Sequence, residues 1–343
     1  MNRLLLCIFS FIILIGNKSF SQDIHFSQFN ENSQLLNPAY TGMFDGTYRA
    51  NLNYKNQWAT VGNVYETYAA SADFVLFKNY MGLKSTGIGI SFFQDVAGSS
   101  KTKTSRIDLN ISQTVYLSEN TDITLGVQFG YLELSANYVG LSWGSQYNGV
   151  EYNGNLASGE RFTGYAQRSF DLSAGFLFRV FDENLFPLEI GVSAYHLTQP
   201  KINALLIEET LPYRFNANVS KEFNIERSND WGFKLQAYAQ TQNRAREILV
   251  GGLLRKDLGS SSKYTGYNND GIKIYAGAMY RIGDAFIPLV KVLVRNKLSI
   301  GMSYDFTLSK FSQASLFRGG PEFSLSYIGP YNPMPVTSPK SFD

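Results

Sequence analysis

Histidine and cysteine, which often carry out catalysis or bind metal ions, are scarce in this chain. The 343 residues include two histidines, His25 and His196, and one cysteine, Cys7. His25 has no second imidazole near it in sequence and lacks the HExxH spacing of a zinc site. The sequence therefore predicts no metal site and no bound cofactor.

Three short segments look superficially like ligand-binding loops. GIGIS (87–91) and AGSSKTKTS (97–105) are rich in glycine and hydroxyl groups, but neither has the GxxxxGK[ST] spacing of a phosphate loop. NNDG (268–271) lacks the distal glutamate of a calcium loop and fits a turn better. From these motifs we predict no catalytic residue and no enzyme activity.

The first residues have the form of a secretory signal peptide. A basic start precedes an apolar run over 4–15, and small residues precede a plausible cut between Ser21 and Gln22. The run is too short to span a membrane comfortably as a helix. We expect 1–21 to be removed together with Cys7, which excludes disulfide and thiol chemistry in the mature chain.

Cleavage would also change the charge balance. It removes two of the 30 basic residues, Arg3 and Lys18, and none of the 28 acidic residues, so the formal net charge falls from +2 to zero. A nucleic-acid-binding protein is normally basic, so nucleic acid is not an expected partner.

The rest of the chain is dominated by long segments of alternating polarity. In TYRANLNYKNQW (47–58) the even positions are apolar or aromatic except Asn56, and the odd positions are polar. The same alternation recurs over 106–117, 169–180 and 297–308. Soluble strands run about 5–6 residues, whereas strands that cross a bilayer need about 9–11. No helical period continues after residue 45, so the pattern favours strands that cross a membrane.

Fourteen such strands are predicted, and an even number is typical of single-chain bacterial outer-membrane barrels. They cover 46–58, 65–78, 86–95, 103–117, 121–134, 168–181, 187–198, 211–223, 230–241, 246–256, 271–282, 286–295, 297–309 and 321–328. Their polar faces mix Gly, Ser, Asn and paired charges such as Arg106 and Asp108, as in a barrel lumen. We predict an all-β fold, a transmembrane antiparallel β-barrel whose apolar face meets outer-membrane lipid.

The segments outside the barrel complete the predicted organisation. Residues 22–45 are mostly polar, and Asn37-Pro38 is a turn at which Pro38 can open a short helix. We expect this segment to act as a hatch inside the barrel, and the alternative is a disordered leader. The barrel then spans 46–328, followed by a proline-rich, extended tail over 329–343.

The strand count also predicts the loops. With both termini periplasmic, loops after odd-numbered strands face outward and should be longer. The longest gap, 135–167, follows the fifth strand as expected. The gap 257–270 follows the tenth strand and is long for a periplasmic turn, so either a strand is miscounted or that turn has a role.

His196 can be placed within this topology. It ends the apolar row of the seventh strand, so we expect it on the outer wall near a membrane interface. A lipid-facing histidine serves outer-membrane phospholipases when a serine lies beside it, but the neighbouring lipid-facing rows offer no nucleophile. An interfacial polar residue is the better interpretation.

The motifs QDIHFSQF, LNPAYTG, YKNQW and GGPEFSLSY resemble the PorP/SprF family of outer-membrane proteins from the type IX secretion and gliding systems of the Bacteroidota. The resemblance covers Gln22 to about Tyr327. It implies a non-enzymatic barrel that works with other type IX secretion components and helps export or anchor a surface adhesin carrying a C-terminal sorting domain. The structural motifs of the hatch and of the start of the barrel correspond here to Asn37, Pro38, Ala39, Gln57 and Trp58.

Two other functions remain open from the sequence. The first is a pore for a small hydrophobic or polar solute, because the NPA motif near an N-terminal hatch resembles that of fatty-acid transporters. The second is a barrel enzyme that modifies lipids. For the secretion function, we predict that the outer loop 135–167 contributes to holding the sorting domain, with Trp143, Tyr147 and Tyr152 as anchors. The alternative is that this loop only shields the mouth of the barrel.

Overall fold

A computed structural model gives the fold of most of the chain. It describes residues 26–57, 65–80, 83–98, 101–135, 142–159, 166–182, 186–203, 208–225, 230–259, 271–309 and 316–330. The predicted signal peptide, Trp58 and residues 331–343 of the predicted tail lie outside the described residues. No helix among the described segments is long and apolar enough to cross a membrane.

Sixteen strands are described. In chain order they are β1 (Tyr48–Gln57), β2 (Tyr65–Tyr80), β3 (Leu83–Ala97), β4 (Thr102–Ser118), β5 (Thr121–Ser135), β6 (Ala166–Phe181), β7 (Pro187–Tyr195), β8 (Lys201–Asn203), β9 (Glu208–Thr210), β10 (Arg214–Asn224), β11 (Trp231–Gln242), β12 (Ala245–Leu258), β13 (Ile272–Arg281), β14 (Ala285–Val294), β15 (Leu298–Thr307) and β16 (Arg318–Ile328).

Fourteen of these strands form one closed barrel, and β1 pairs with β16 to complete it. Each pair is antiparallel, so the predicted fold class is confirmed, including the number of strands. The remaining two, β8 and β9, form a small hairpin between β7 and β10 that the sequence did not predict. Because the barrel is closed, each wall strand has hydrogen-bonded neighbours on both sides along its paired length, as a bilayer requires.

The two faces of the wall differ as the alternation predicts. In β1, Leu52 is 54% exposed on the outer face, while Asn51 and Asn53 are buried inside. An apolar outer face avoids the cost of placing polar groups in hydrocarbon, and on the inner face Asn51 Nδ2 donates to the Ser71 hydroxyl at 2.9 Å. The expected lipid and lumen faces of 47–58 therefore match the structure over β1.

The two ends of the barrel can be told apart by the chain termini, and at one of them β6 extends beyond its neighbour β7. β1 begins and β16 ends at the same end, which we call the terminal end, and the opposite end is the distal end. At the distal end β6 pairs with β5 as far as Ala166, but its pairing with β7 stops at Ala174. Residues 166–173 of β6 therefore rise above the end of β7.

Residues 26–42 fold back inside the barrel, and we call this segment the plug. It contains a 3₁₀ turn (Phe29–Asn32), a short helix α1 (Ser33–Leu36) and a second 3₁₀ turn (Pro38–Tyr40). Pro38 opens the last turn as predicted, because proline lacks the N–H that would be unpaired there. Most plug residues are buried, so the segment fills interior space between opposite walls.

The connection after β12 sits at the terminal end. β12 ends at Leu258 and β13 begins at Ile272, and both belong to the barrel. The strand count at this point is confirmed, which rules out a miscounted strand as the reason for the long gap. Residues 260–270 lie outside the described residues.

Candidate functional site

The first residues of the plug are held by carboxylates of the wall. The backbone N–H groups of Ser27 and Gln28 donate to the two carboxylate oxygens of Glu322 at 2.7 and 2.8 Å. The Ser27 hydroxyl lies 2.7 Å from Asp305 Oδ1. Because Glu322 lies in β16 and Asp305 in β15, one end of the plug is fixed to the seam where the barrel closes.

Two buried cations balance these carboxylates. Lys55 Nζ lies 3.6 Å from Asp305 and 3.7 Å from Glu322. Arg281 contacts Asp305 at 3.1 Å and Glu247 at 3.2 Å. All these side chains are nearly excluded from solvent, where an unpaired charge is costly. The cluster is therefore stable as a set and sensitive to the loss of any single member.

The middle of the plug contacts β11 through an aromatic pair and an amide pair. Phe29 stacks on Tyr238 with ring centroids 5.2 Å apart. Asn30 Nδ2 donates to Gln236 Oε1 at 2.6 Å. Stacking and amide hydrogen bonds are directional, so they fix the orientation of the turn Phe29–Asn32 against the wall.

Glu31 adds an ion pair with β14. Its Oε1 lies 2.6 Å from Lys291 Nζ, and both side chains are partly exposed. Burial favours the neutral acid, but the Lys291 ammonium outweighs it and holds the pKa of Glu31 below its ordinary value. The Glu31 carboxylate is therefore charged at neutral pH and contributes to plug docking.

Asn37 contacts the wall where two neighbouring strands carry glycine. Its Nδ2 donates to the carbonyls of Phe176 and Val192 at 3.0 and 3.1 Å. A Cβ at Gly175 would overlap the Asn37 amide oxygen, and one at Gly191 would crowd its nitrogen. Two adjacent strands, β6 and β7, carry glycine where the amide enters, which explains why these positions lack side chains.

Two other predicted hatch residues, Pro38 and Ala39, come next in the chain and also contact the wall or Asn37. Ala39 N–H donates to Asn37 Oδ1 at 2.9 Å, and Ala39 is fully buried. A Cβ at Gly126 in β5 would overlap the backbone of Pro38 and Ala39. Gln57 lies elsewhere, at the distal end of β1, and Trp58 is outside the described residues. The structure thus brings three of the five predicted motif residues together.

The plug leaves the interior at the terminal end through a second charged contact. Asp73 in β2 accepts hydrogen bonds from Gly42 N–H at 2.8 Å and from Arg49 Nε at 3.0 Å. Arg49 also donates to the Tyr40 carbonyl at 3.0 Å. The direction of the chain from plug to β1 is fixed by this bidentate arginine–carboxylate pair. Sequence reasoning missed Asp73 and Glu322 because their partners are distant in sequence.

The expected position of His196 on the outer wall is wrong. β7 ends at Tyr195, and His196 adopts a left-handed backbone with φ of 60°, which breaks the alternation and turns the ring inward. The ring is 1% exposed, and its Nδ1 lies 2.8 Å from Asp171 of β6. Asp171 also pairs with Arg106 at 2.8 Å. His196 therefore ties the chain after β7 to the interior charge network.

The predicted outer-loop anchors lie in the described part of the loop, residues 142–159. Gln146 accepts from the Trp143 N–H at 3.0 Å and from the Tyr152 hydroxyl at 3.2 Å. Tyr147 and Tyr152 form an isolated antiparallel bridge and are 55% and 52% exposed, while Trp143 is partly buried. The two tyrosines thus share one exposed surface, and their role in partner binding stays a prediction.

The cavities beside the plug are small. One of about 40 Å³ is lined by Phe26, Phe29, Asn32, Leu35, Leu36, Phe93, Arg214, Tyr238 and Gln240. Another of about 40 Å³ is lined by Gln28, Asn30, Glu31, Lys234, Gln236, Leu253, Tyr275, Leu289 and Lys291. A water molecule needs roughly 10–15 Å³ of such space, so each cavity has room for a few waters. Within the described residues, no cluster of His, Cys, Asp or Glu is arranged to hold a metal ion.

Comparison with known proteins gives a family. Residues 18–327 match the family described as "Type IX secretion system membrane protein PorP/SprF". The sequence has no match among the curated proteins.

Solved structures with a similar fold are outer-membrane barrels of low sequence identity. The CymD monoaromatic hydrocarbon channel is 10% identical with a TM-score of 0.47, covering 88% of this chain and 93% of that one. A Pseudomonas aeruginosa FadL homologue is 12% identical with a TM-score of 0.47, covering 86% and 93%. Haemophilus ducreyi BamA lacking POTRA domains 1–3 is 10% identical with a TM-score of 0.43, covering 83% and 70%.

Proposed function

The chain belongs to the PorP/SprF family of type IX secretion system membrane proteins, and from this premise we propose that it helps export or anchor a surface adhesin by binding the adhesin's C-terminal sorting domain. It is an outer-membrane barrel of a secretion system, and its family implies interaction with other secretion components. With the terminal end in the periplasm, the distal end faces the outside, where an exported protein would be held.

The main support for this proposal is that the plug fills the interior of the barrel. The Glu322 carboxylate of the wall accepts the backbone N–H groups of Ser27 and Gln28 in the plug, and the Asn37 side chain inserts where β6 and β7 carry glycine. A segment fixed at both ends in this way obstructs a solute pathway through the lumen. The surface left available for function is the outside of the distal end.

The distal loop supports the location of the binding surface. Exposed tyrosines give large contact areas at a low cost in side-chain entropy, and they are common in protein-binding loops. Tyr147 and Tyr152 are half exposed and held by bonds within the loop to Gln146 and to the Val150 carbonyl. Such a loop is preorganised, which lowers the cost of binding.

The test compares cells that carry the full gene, a deletion of the gene, and a restored gene with residues 142–159 replaced by a tight turn. We expect the surface adhesin to be lost in the deletion. With the shortened loop we expect it to fall or to be shed into the medium, at unchanged levels of folded barrel. The double substitution Tyr147→Ser/Tyr152→Ser should reproduce part of this loss.

The matched control is Glu151→Gln, an exposed change between the two tyrosines that leaves both rings in place. It should retain the adhesin at the level of the unaltered protein. If the adhesin stays on the surface in the full deletion, the secretion proposal is wrong. If only the loop variants retain it, the loop shields the barrel mouth and binding lies elsewhere on the distal end.

A pore for a small solute is the second candidate. The apolar cavity beside Phe26, Phe29 and Tyr238 is the observation that favours it, because aromatic walls suit a hydrophobic solute. Transport along this route requires the plug to move, since the cavity lies between plug and wall. Steady conductance or solute uptake through the unaltered protein would support this candidate.

A further inference from the structure

The outer part of β6 is a sheet edge. Residues 166–173 pair with β5 on one side, from Ala166 opposite Ser135 onward. On the other side the ladder with β7 reaches only to Ala174. A strand that is paired on one side alone presents its remaining backbone groups to a partner strand.

The direction of these groups is fixed by two neighbouring bonds. The Leu172 carbonyl accepts the Leu197 N–H at 2.9 Å, and the Phe170 carbonyl accepts the Thr198 hydroxyl at 3.2 Å. Backbone groups of alternate residues point the same way, so the N–H and C=O of Arg168 face the same gap. Among the described residues, the N–H groups of Arg168 and Phe170 have no hydrogen-bond partner.

The side chains indicate that this edge stands in water above the lipid. Phe170 packs edge-to-face against Tyr131 with centroids 5.6 Å apart, as aromatic residues do at a membrane interface. Farther along the wall, Arg168 pairs with Glu133 at 2.9 Å, and their side chains are 65% and 34% exposed. An unpaired edge is not tolerated in hydrocarbon but is stable in water.

The hairpin β8–β9 lies beside this edge without closing it. The Ser169 hydroxyl donates to the Lys201 carbonyl at 2.7 Å, and the hairpin forms a separate two-stranded sheet. Phe170 is 78% exposed, the largest exposed fraction among the large apolar side chains described in the wall strands. The edge therefore combines unpaired backbone with an accessible apolar side chain.

We propose that the outer part of β6, residues 166–170, binds an extended strand of the exported partner by adding it to the sheet edge. Backbone groups of Arg168 and Phe170 bond to the added strand, and an apolar partner residue packs beside Phe170. In the chain, β6 begins at Ala166, seven residues after the described part of the loop that contains Tyr147 and Tyr152 ends at residue 159. This inference rests on the proposed function and identifies how the partner is held.

Proline provides a selective test because the Arg168 N–H faces the gap and makes no bond to β5. Arg168→Pro removes that N–H and the side chain, whereas the matched Arg168→Ala removes the side chain alone. We expect Arg168→Ala to retain most of the surface adhesin. Arg168→Pro should retain about fivefold to tenfold less, at equal levels of folded barrel, because a lost hydrogen bond changes binding by about that factor.

A second measurement does not depend on variants. Hydrogen exchange of the unaltered barrel, purified alone and with the adhesin bound, should show slower exchange at residues 166–170 in the complex. Equal retention by the proline and alanine variants, or unchanged exchange in the complex, overturns strand addition. The proposed function survives either result if deleting the gene still removes the adhesin, so the two failures are distinguishable.

Discussion

The plug is attached at two places by two different kinds of contact. At Ser27 and Gln28 the wall supplies charge, with Glu322 accepting two backbone N–H groups within a cluster of buried ions. At Asn37 the wall supplies space, because Gly175 and Gly191 let an amide approach the backbone. The first attachment depends on charged side chains of the wall, and the second depends on glycines that leave room for the Asn37 amide.

This difference predicts opposite sensitivities. Removing a charge at the first attachment leaves its partners buried and unpaired, which costs more than the bond itself. Adding a methyl group at the second attachment forces the plug or the wall to move, even though no bond is removed. A scan that truncates the side chains of the wall would find the first attachment and overlook the glycines of the second.

The largest effect is expected at the charged attachment. Glu322→Ala leaves Lys55 without one of its two carboxylates and frees the N–H groups of Ser27 and Gln28. We expect the free energy of unfolding, measured by urea titration in lipid vesicles, to fall by about 3–5 kcal/mol. The control Glu133→Ala breaks an exposed pair and should cost no more than about 1 kcal/mol. Equal losses would mean that the cluster does not stabilise the protein.

A smaller effect is expected at the close approach. Gly175→Ala should cost about 1–3 kcal/mol of unfolding free energy, because the new Cβ overlaps the Asn37 amide. Gly144→Ala, in the outer loop with open space around it, should be nearly neutral. Adding Asn37→Ala to Gly175→Ala should restore part of the loss by removing the clashing group. No restoration would show that the strain lies within the wall and not against the plug.

The smallest effect concerns the ion pair between Glu31 and Lys291. Because the pKa of Glu31 is lowered in the folded state, its carboxylate contributes stability above the unfolded pKa, and this contribution disappears as pH falls through the folded pKa. The difference in unfolding free energy between the unaltered protein and Glu31→Gln should therefore be present at pH 7 and shrink on acidification. A difference that grows at low pH contradicts this assignment.

Much of the fold was predictable because lipid imposes one rule on every wall strand. Residues facing hydrocarbon are apolar and their neighbours are not, so the alternation in β1 or β6 reports both the strand and its faces. The fourteen strands, their order and the lumen position of Arg106 and Asp108 follow from that local signal.

The site was less predictable because its contacts join distant parts of the chain. Ser27 and Glu322 are 295 residues apart, and the sequence around either residue does not indicate the contact between them. His196 was misplaced because a single left-handed residue ends the alternation, and sequence polarity does not record φ. Asn37-Pro38 was recognisable because turn chemistry is local.

Conductance across a planar bilayer tests the central claim, that the plug fills the barrel and leaves the distal surface to hold a partner. We predict no steady open current through the purified, unaltered protein. A variant with both attachments weakened, Glu322→Ala/Gly175→Ala, should conduct if it remains folded, as judged by heat-modifiable migration. Steady conductance through the unaltered protein, equal to that of the variant, would show that the plug does not close the barrel and would make the solute pore the better proposal.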